Sequence, residues 1–153
     1  MLLTADTKQN IKNLRKACKE VYADLPILAD LCLTQGVHES NLLNRPSQLA
    51  LRYNNLFGIK GKGLTGKSIL LPTWEEVNGK TVYVKAAFAY NDSIEDSIKQ
   101  HRNLMMKARY KPVRESKTLD EAFVNIYKAG YATDSKYPDK LKATKLRIDE
   151  ILS

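Results

Sequence analysis

The acidic residue best placed for chemistry is Glu39. It closes a helix-like stretch that begins at Pro26, directly before the polar pair Ser40-Asn41. A carboxyl near a helix C-terminus feels the partial negative charge of unpaired carbonyls, which disfavours its ionised form. If Leu42 and Leu43 also strip water from it, the neutral acid is favoured further. A carboxyl that holds its proton near neutral pH is what a general acid for glycoside cleavage needs. By spacing alone, a solvated glutamate at a helix end is the simpler reading.

Other residues offer rival chemistries. Gly61-Lys62-Gly63-Leu64-Thr65-Gly66-Lys67-Ser68 satisfies the phosphate-binding pattern G-x-x-x-x-G-K-[ST] in full. That motif works only between a buried strand and a helix whose N-terminus meets the phosphates. Asn54-Asn55 makes a poor buried strand before it, and Pro72 interrupts any helix begun at Ser68. His38 and His101 lack the His-x-x-x-His type of spacing that metal sites use, so no metal and no cofactor is expected. His38 adjoins Glu39, but adjacent helical residues face apart, and His101 is expected to pack or hydrogen-bond at a helix edge. Cys18 and Cys32 fall at apolar helical positions and read as small buried side chains. Tyr83, Tyr90, Tyr110, Tyr127, Tyr131 and Tyr137 can stack sugars or bases, although dispersed tyrosines usually pack at core boundaries.

The elements that position these groups follow from periodicity. Ile11, Leu14, Cys18 and Val21 predict an amphipathic helix from about Ala5 to Tyr22. Asp24 is a candidate cap for a second helix, with Pro26 in its first turn, running towards Ser40. Pro46 opens a short third helix. Five glycines between Gly58 and Gly79 then describe loop and turn. Asn78-Gly79 predicts a hairpin between Thr73–Val77 and Thr81–Tyr90. Helical spacing resumes after Asp92. Thr118 with Glu121 forms a capping box for a helix that stops before Gly130, and a last helix follows Pro138.

The 153 residues, 43% apolar and 27% charged, predict one domain over 1–153 with a β lobe at about 62–90. Lys and Arg outnumber Asp and Glu by 25 to 17, a net charge of +8 that favours anionic partners without choosing among them. No run approaches the ~20 apolar residues of a membrane span, and the N-terminus turns polar too early for a signal peptide.

Several blocks together resemble the bacterial glucosaminidases of glycoside hydrolase family 73. Glu39-Ser40 is followed by Asn54-Asn55-Leu56-Phe57-Gly58-Ile59-Lys60-Gly61, then Thr73-Trp74-Glu75, which resembles a Thr-x-Glu on the β lobe. Tyr90, Ser93, Ser97 and His101 fit the helix between the β lobe and Gly130-Tyr131-Ala132-Thr133-Asp134, with Tyr137 and Lys140-Leu141 beyond. The resemblance runs from about Pro26 to Ile148. It implies an α+β, mainly α, lysozyme-like fold: a helical lobe and a small β-hairpin lobe flanking a glycan cleft. It also implies Glu39 as general acid, Glu75 as second carboxylate and Tyr131 as a supporting catalytic residue. Asn55, Phe57, Asp134 and Tyr137 become substrate-binding candidates. Glu76 rivals Glu75, but neighbouring strand residues face opposite ways, so one of the two enters the cleft. Two departures stand out: Leu42 and Leu43 occupy positions where the family carries Trp and Gly, and Ala87-Phe88-Ala89-Tyr90 lacks the family's Arg.

The implied reaction is hydrolysis of the β-1,4 bond between N-acetylglucosamine and N-acetylmuramic acid in peptidoglycan. Inverting and substrate-assisted routes both remain open at this point. A muramidase or transglycosylase on the same fold is the alternative, and a basic nucleic-acid-binding domain is the alternative outside enzymology. The partner expected is the glycan strand, not nucleic acid, met by a monomer. With no export signal read, the enzyme is expected to be made in the cytoplasm and to reach the wall by other means, as a phage virion or lysis component would; an excised domain of a larger autolysin or flagellar protein fits the sequence equally.

Overall fold

A computed structural model describes residues 1–153. Helix α1 (Thr7–Val21) is capped by Asp6, whose side chain accepts from the Gln9 N–H. Helix α2 (Pro26–Glu39) packs against α1, α6 (Leu119–Lys128) and α7 (Tyr137–Leu152). Nine of the 14 residues of α2 are buried, so it shows no polar face and forms the centre of the helical lobe. Around it, Ile11, Leu14, Leu31, Ile98, Phe123 and Leu141 form one continuous core.

The expected cap at Asp24 is not made. Leu25 precedes the first turn of α2 without a side-chain hydrogen bond, and Asp24 instead forms a two-pronged pair with Arg102, at 2.7 and 2.9 Å. A planar guanidinium matches both carboxylate oxygens, and it outcompetes a lone backbone N–H for Asp24. The third helix, α3 (Gln48–Tyr53), starts two residues after Pro46 because Ser47 is the cap. Helix α4 (Ile94–Met105) is capped by Ser93. In α6, Thr118 accepts from the Glu121 N–H, while the Glu121 carboxylate reaches back to Lys117 N. A 3-10 turn at Ala108–Tyr110 and the four-residue α5 (Lys111–Arg114) lie between α4 and α6.

The β lobe is a single antiparallel ribbon of β1 (Lys67–Val77) and β2 (Lys80–Tyr90). Its strands are longer than the sequence pattern indicates. Each strand of a two-stranded ribbon has a free edge, so Pro72 sits within β1 without ending it. Asn78 and Gly79 both have positive φ, 52° and 76°, as the tight two-residue turn requires.

Two buried asparagines tie this ribbon to the helices. Asn55 Nδ2 donates to Ile59 O and Ala89 O, at 2.8 and 3.0 Å, and its Oδ1 accepts from Ile59 N. Asn91 links Leu64 N, Asn54 O and Gln100. Asn55→Ala leaves several buried groups unpaired and is expected to lower the unfolding free energy by about 2 kcal/mol. Urea titration checks this; a loss near zero shows that the asparagine does not secure the lobe junction.

Candidate active site

Glu39 owes its position to the way α2 ends. Asn41 adopts a left-handed conformation, φ 57°, and the N–H groups of Asn41 and Leu42 turn back to His38 O and Val37 O. This pair of reversed bonds stops the helix one residue beyond Glu39 and sends Leu42 into the core, 1% exposed. Leu42 therefore does not enclose the Glu39 carboxyl. Glu39 is exposed, and the desolvation expected from its apolar neighbours is absent because the reversed turn carries Leu42 inward.

The carboxyl faces an open groove of about 430 Å³ between the helical lobe and the base of the ribbon. Phe57, Lys60, Arg109, Tyr110 and Tyr131 share its walls with Glu39. Phe57 reaches its place because Gly36 leaves room: a Cβ there would lie 2.8 Å from Leu56 and 3.4 Å from Phe57. Gly130, at φ 89°, lets the chain leave α6 and deliver Tyr131, while Arg109 holds Ala129 O just before it.

Three tyrosines line up behind the carboxyl. Tyr131 stacks on Tyr137 with ring centres 6.1 Å apart, and Tyr110 meets Tyr131 edge-on at 6.5 Å. The hydroxyl that touches the acid belongs to Tyr137, which donates to Glu39 Oε1 at 2.9 Å. Burial pushes both phenols well above their ordinary range; for Tyr131 the charges of Tyr137 and Glu39 follow, and for Tyr137 that of Glu39. Both phenols therefore keep their protons near neutral pH, and Tyr137 donates its own to Glu39.

The remaining candidates divide. Glu75 and Thr73 lie on the more sheltered face of β1, and Trp74 and Glu76 on the outer face, as strand alternation demands. Glu75 pairs with Lys60, a groove residue, so its carboxylate is tethered towards the cleft. Asn55 is 1% exposed with its amide spent on backbone partners, so it shapes the groove from beneath. Asp134 accepts from Lys136 N and pairs with Lys140, which holds its carboxyl below the usual range and closes the turn into α7. Tyr137 is 3% exposed, set behind Glu39 and not along the wall.

Sequence reasoning overlooked Lys60 and Arg109 as groove residues, Gln35 as the partner of Tyr137, and His101 as the partner of Gln35. Gln35 had a signal: it lies four residues before Glu39, hence on the same helical face, as a polar residue within the apolar run Leu28–Val37. His101 packs and hydrogen-bonds as expected, but fully buried in the core and not at a helix edge, because Tyr22 and Gln35 satisfy both ring nitrogens there.

The phosphate-loop pattern has no phosphate-binding geometry. Gly61, Gly63, Leu64 and Gly66 direct their N–H groups to Ala87 O, Lys67 O, Asn91 Oδ1 and Gly63 O, and a strand, not a helix, follows Gly66. Amides already spent inside the turn cannot cradle an anion. Cys18 and Cys32 are buried free thiols, and no group of three or more His, Cys, Asp or Glu side chains gathers as a metal site would. No helix is long and apolar enough to cross a membrane.

Comparison with known proteins bears on the family and the fold. Residues 15–150 match the model of a family described as glucosaminidase, mannosyl-glycoprotein endo-beta-N-acetylglucosaminidase. The chain is 33% identical over 135 residues to the exo-glucosaminidase LytG of Bacillus subtilis, covering 84% of this chain and 47% of LytG. It thus spans about half the length of that relative. Among solved structures, the catalytic domain of the autolysin Auto from Listeria monocytogenes superposes with TM-score 0.82 at 26% identity, over 99% of this chain and 89% of that one. The truncated glycoside hydrolase domain of FlgJ from Salmonella typhimurium superposes with TM-score 0.74 at 26% identity, over 95% and 99%. A helical lobe, a hairpin lobe and a groove carboxyl at the end of α2 are thus joined by a family match over most of the sequence, and the chain belongs to the glucosaminidase family, glycoside hydrolase family 73.

Proposed function

We propose that this chain hydrolyses the β-1,4 bond between N-acetylglucosamine and N-acetylmuramic acid in bacterial peptidoglycan, with Glu39 as general acid. The observation that carries the reading is a carboxyl at the end of α2, open to a groove and accepting one hydrogen bond from a buried phenol. A glycan seated in that groove strips water from Glu39, and lost water favours the neutral carboxyl. The bond from anomeric carbon to leaving oxygen then breaks with its electron pair going to oxygen, which takes the Glu39 proton. Tyr131 offers an apolar face for a sugar ring, Phe57 at 4% exposure backs the groove from beneath, and Arg109 offers a cation for an anionic substituent.

The opposite face of the sugar needs negative charge or a nucleophile. Glu75 is our candidate, carried on the ribbon and paired with Lys60 while the groove is empty. The substrate's own 2-acetamido oxygen is the other source. Glu75→Gln is expected to lower turnover by about 10-fold, less than loss of a general acid costs. A loss as great as that of Glu39→Gln makes Glu75 the base that activates water; an unchanged rate passes the role to the acetamido group.

The deciding experiment is mass spectrometry of digested peptidoglycan. Fragments ending in reducing N-acetylglucosamine are expected. Reducing or anhydro-N-acetylmuramic acid ends would instead assign a muramidase or transglycosylase, and no cleavage would remove the enzymatic reading.

A further inference from the structure

The Tyr137 hydroxyl that meets Glu39 is the last link of a chain that begins on the far side of the core. Tyr22 Oη lies 2.6 Å from His101 Nδ1, and His101 Nε2 lies 2.8 Å from Gln35 Oε1. Gln35 Nε2 donates to Tyr137 Oη at 3.0 Å, and Tyr137 donates to Glu39 Oε1 at 2.9 Å. Four elements contribute: the residue after α1, then α4, α2 and α7. Tyr22, Gln35 and His101 are all completely shielded from solvent.

The chain has a direction. A neutral imidazole carries one N–H, and burial pushes His101 down to about 3, so the ring is neutral. The Gln35 carbonyl can only accept, which puts the His101 proton on Nε2 and leaves Nδ1 to accept from Tyr22. The Gln35 amide nitrogen can only donate, so the Tyr137 oxygen is the acceptor there and its single proton goes to Glu39. Every donor points towards the groove. Reversing any link would set two donors or two acceptors against each other in a dry core.

Resting on the function proposed above, we propose that Gln35 and His101 are positioning residues. They hold the Tyr137 hydroxyl as a fixed donor to Glu39 Oε1, so that the proton given to the leaving oxygen resides on Oε2. An exposed carboxyl at a helix end otherwise rotates freely, and only a locked orientation keeps Oε2 within reach of the scissile oxygen.

The test uses the full chain and a soluble peptidoglycan oligosaccharide of defined length. Gln35→Met preserves length and bulk but donates nothing; Tyr137→Phe removes the last link. Each is expected to lower kcat by about 10- to 100-fold per folded molecule, with KM changed less than about twofold. The double variant should lose no more than the worse single one, because the second break finds nothing left to orient. Losses that multiply, or a kcat unchanged in Gln35→Met despite a lower melting temperature, overturn the proposal and leave Gln35 a packing residue. An independent arm needs no turnover: nitrogen NMR of His101 in the wild-type protein should show the Nε2–H tautomer. A proton on Nδ1 means the chain runs the other way and refutes the inference. Correct tautomer with no hydrolysis of any glycan by the wild type would instead count against the proposed function.

Discussion

Glu39→Gln is expected to lower turnover by about 10²- to 10⁴-fold, the range a general acid contributes, without altering the fold or glycan affinity. The substitution keeps an oxygen for the Tyr137 hydroxyl to meet, so the 2.9 Å bond and the tyrosine stack behind it survive. What it removes is the acidic proton on the other oxygen. Glu39 is exposed and lies outside the core, so neither packing nor a buried network depends on its charge. Matching melting temperatures and matching retention on insoluble peptidoglycan, with cleavage gone, would isolate the chemical step. Lysis at near wild-type rate would remove Glu39 from the role and shift attention to Glu75, the other carboxyl tethered towards the groove.

How far the sequence revealed this site depends on how local each determinant is. Signals that act within a few residues were readable: Asn78-Gly79 for the hairpin turn, Thr118 with Glu121 for the start of α6, and Gly130 for its end. The end of α2 was readable as a place, since polar Ser40-Asn41 breaks an apolar run. Its geometry was not. The left-handed Asn41 buries Leu42, and that one turn decides that Glu39 meets water and Tyr137 instead of leucine. Asp24 misled because capping and ion pairing compete for the same oxygens, and its winning partner, Arg102, is 78 residues away. The four residues of α5 are too few to show a period. The chain from Tyr22 to Glu39 lay furthest from view: Gln35 and His101 are separated by 66 positions, and only folding makes them neighbours.

The burial of His101 should also appear as an acid limit on stability. Its folded-state pKa is lowered to about 3, against 6.5 when the chain is unfolded. Above pH 6.5 both states are neutral at this ring and its contribution is complete. As pH falls below 6.5 the unfolded chain takes up a proton that the folded chain refuses, so stability declines until pH reaches about 3. The slope approaches 1.4 kcal/mol per pH unit, which gives a loss of about 2.5 kcal/mol between pH 7 and 4.5. The carboxylates held low by cations, Asp24 by Arg102 and Asp134 by Lys140, act in a lower window. Their contribution persists above the ordinary Asp value and disappears only as pH drops beneath it, so pH 4.5 to 7 belongs mainly to the imidazole. Urea unfolding at half-unit steps across that range would trace the slope. His101→Gln, which keeps an amide donor and acceptor near Gln35 and Tyr22 but takes up no proton, should flatten most of it. An equal slope in that variant would show that the acid sensitivity arises elsewhere and that His101 accepts a proton inside the fold. A neutral ring is what keeps the four-bond chain pointing at Glu39, so that outcome would weaken the case for a fixed donor at the groove as well.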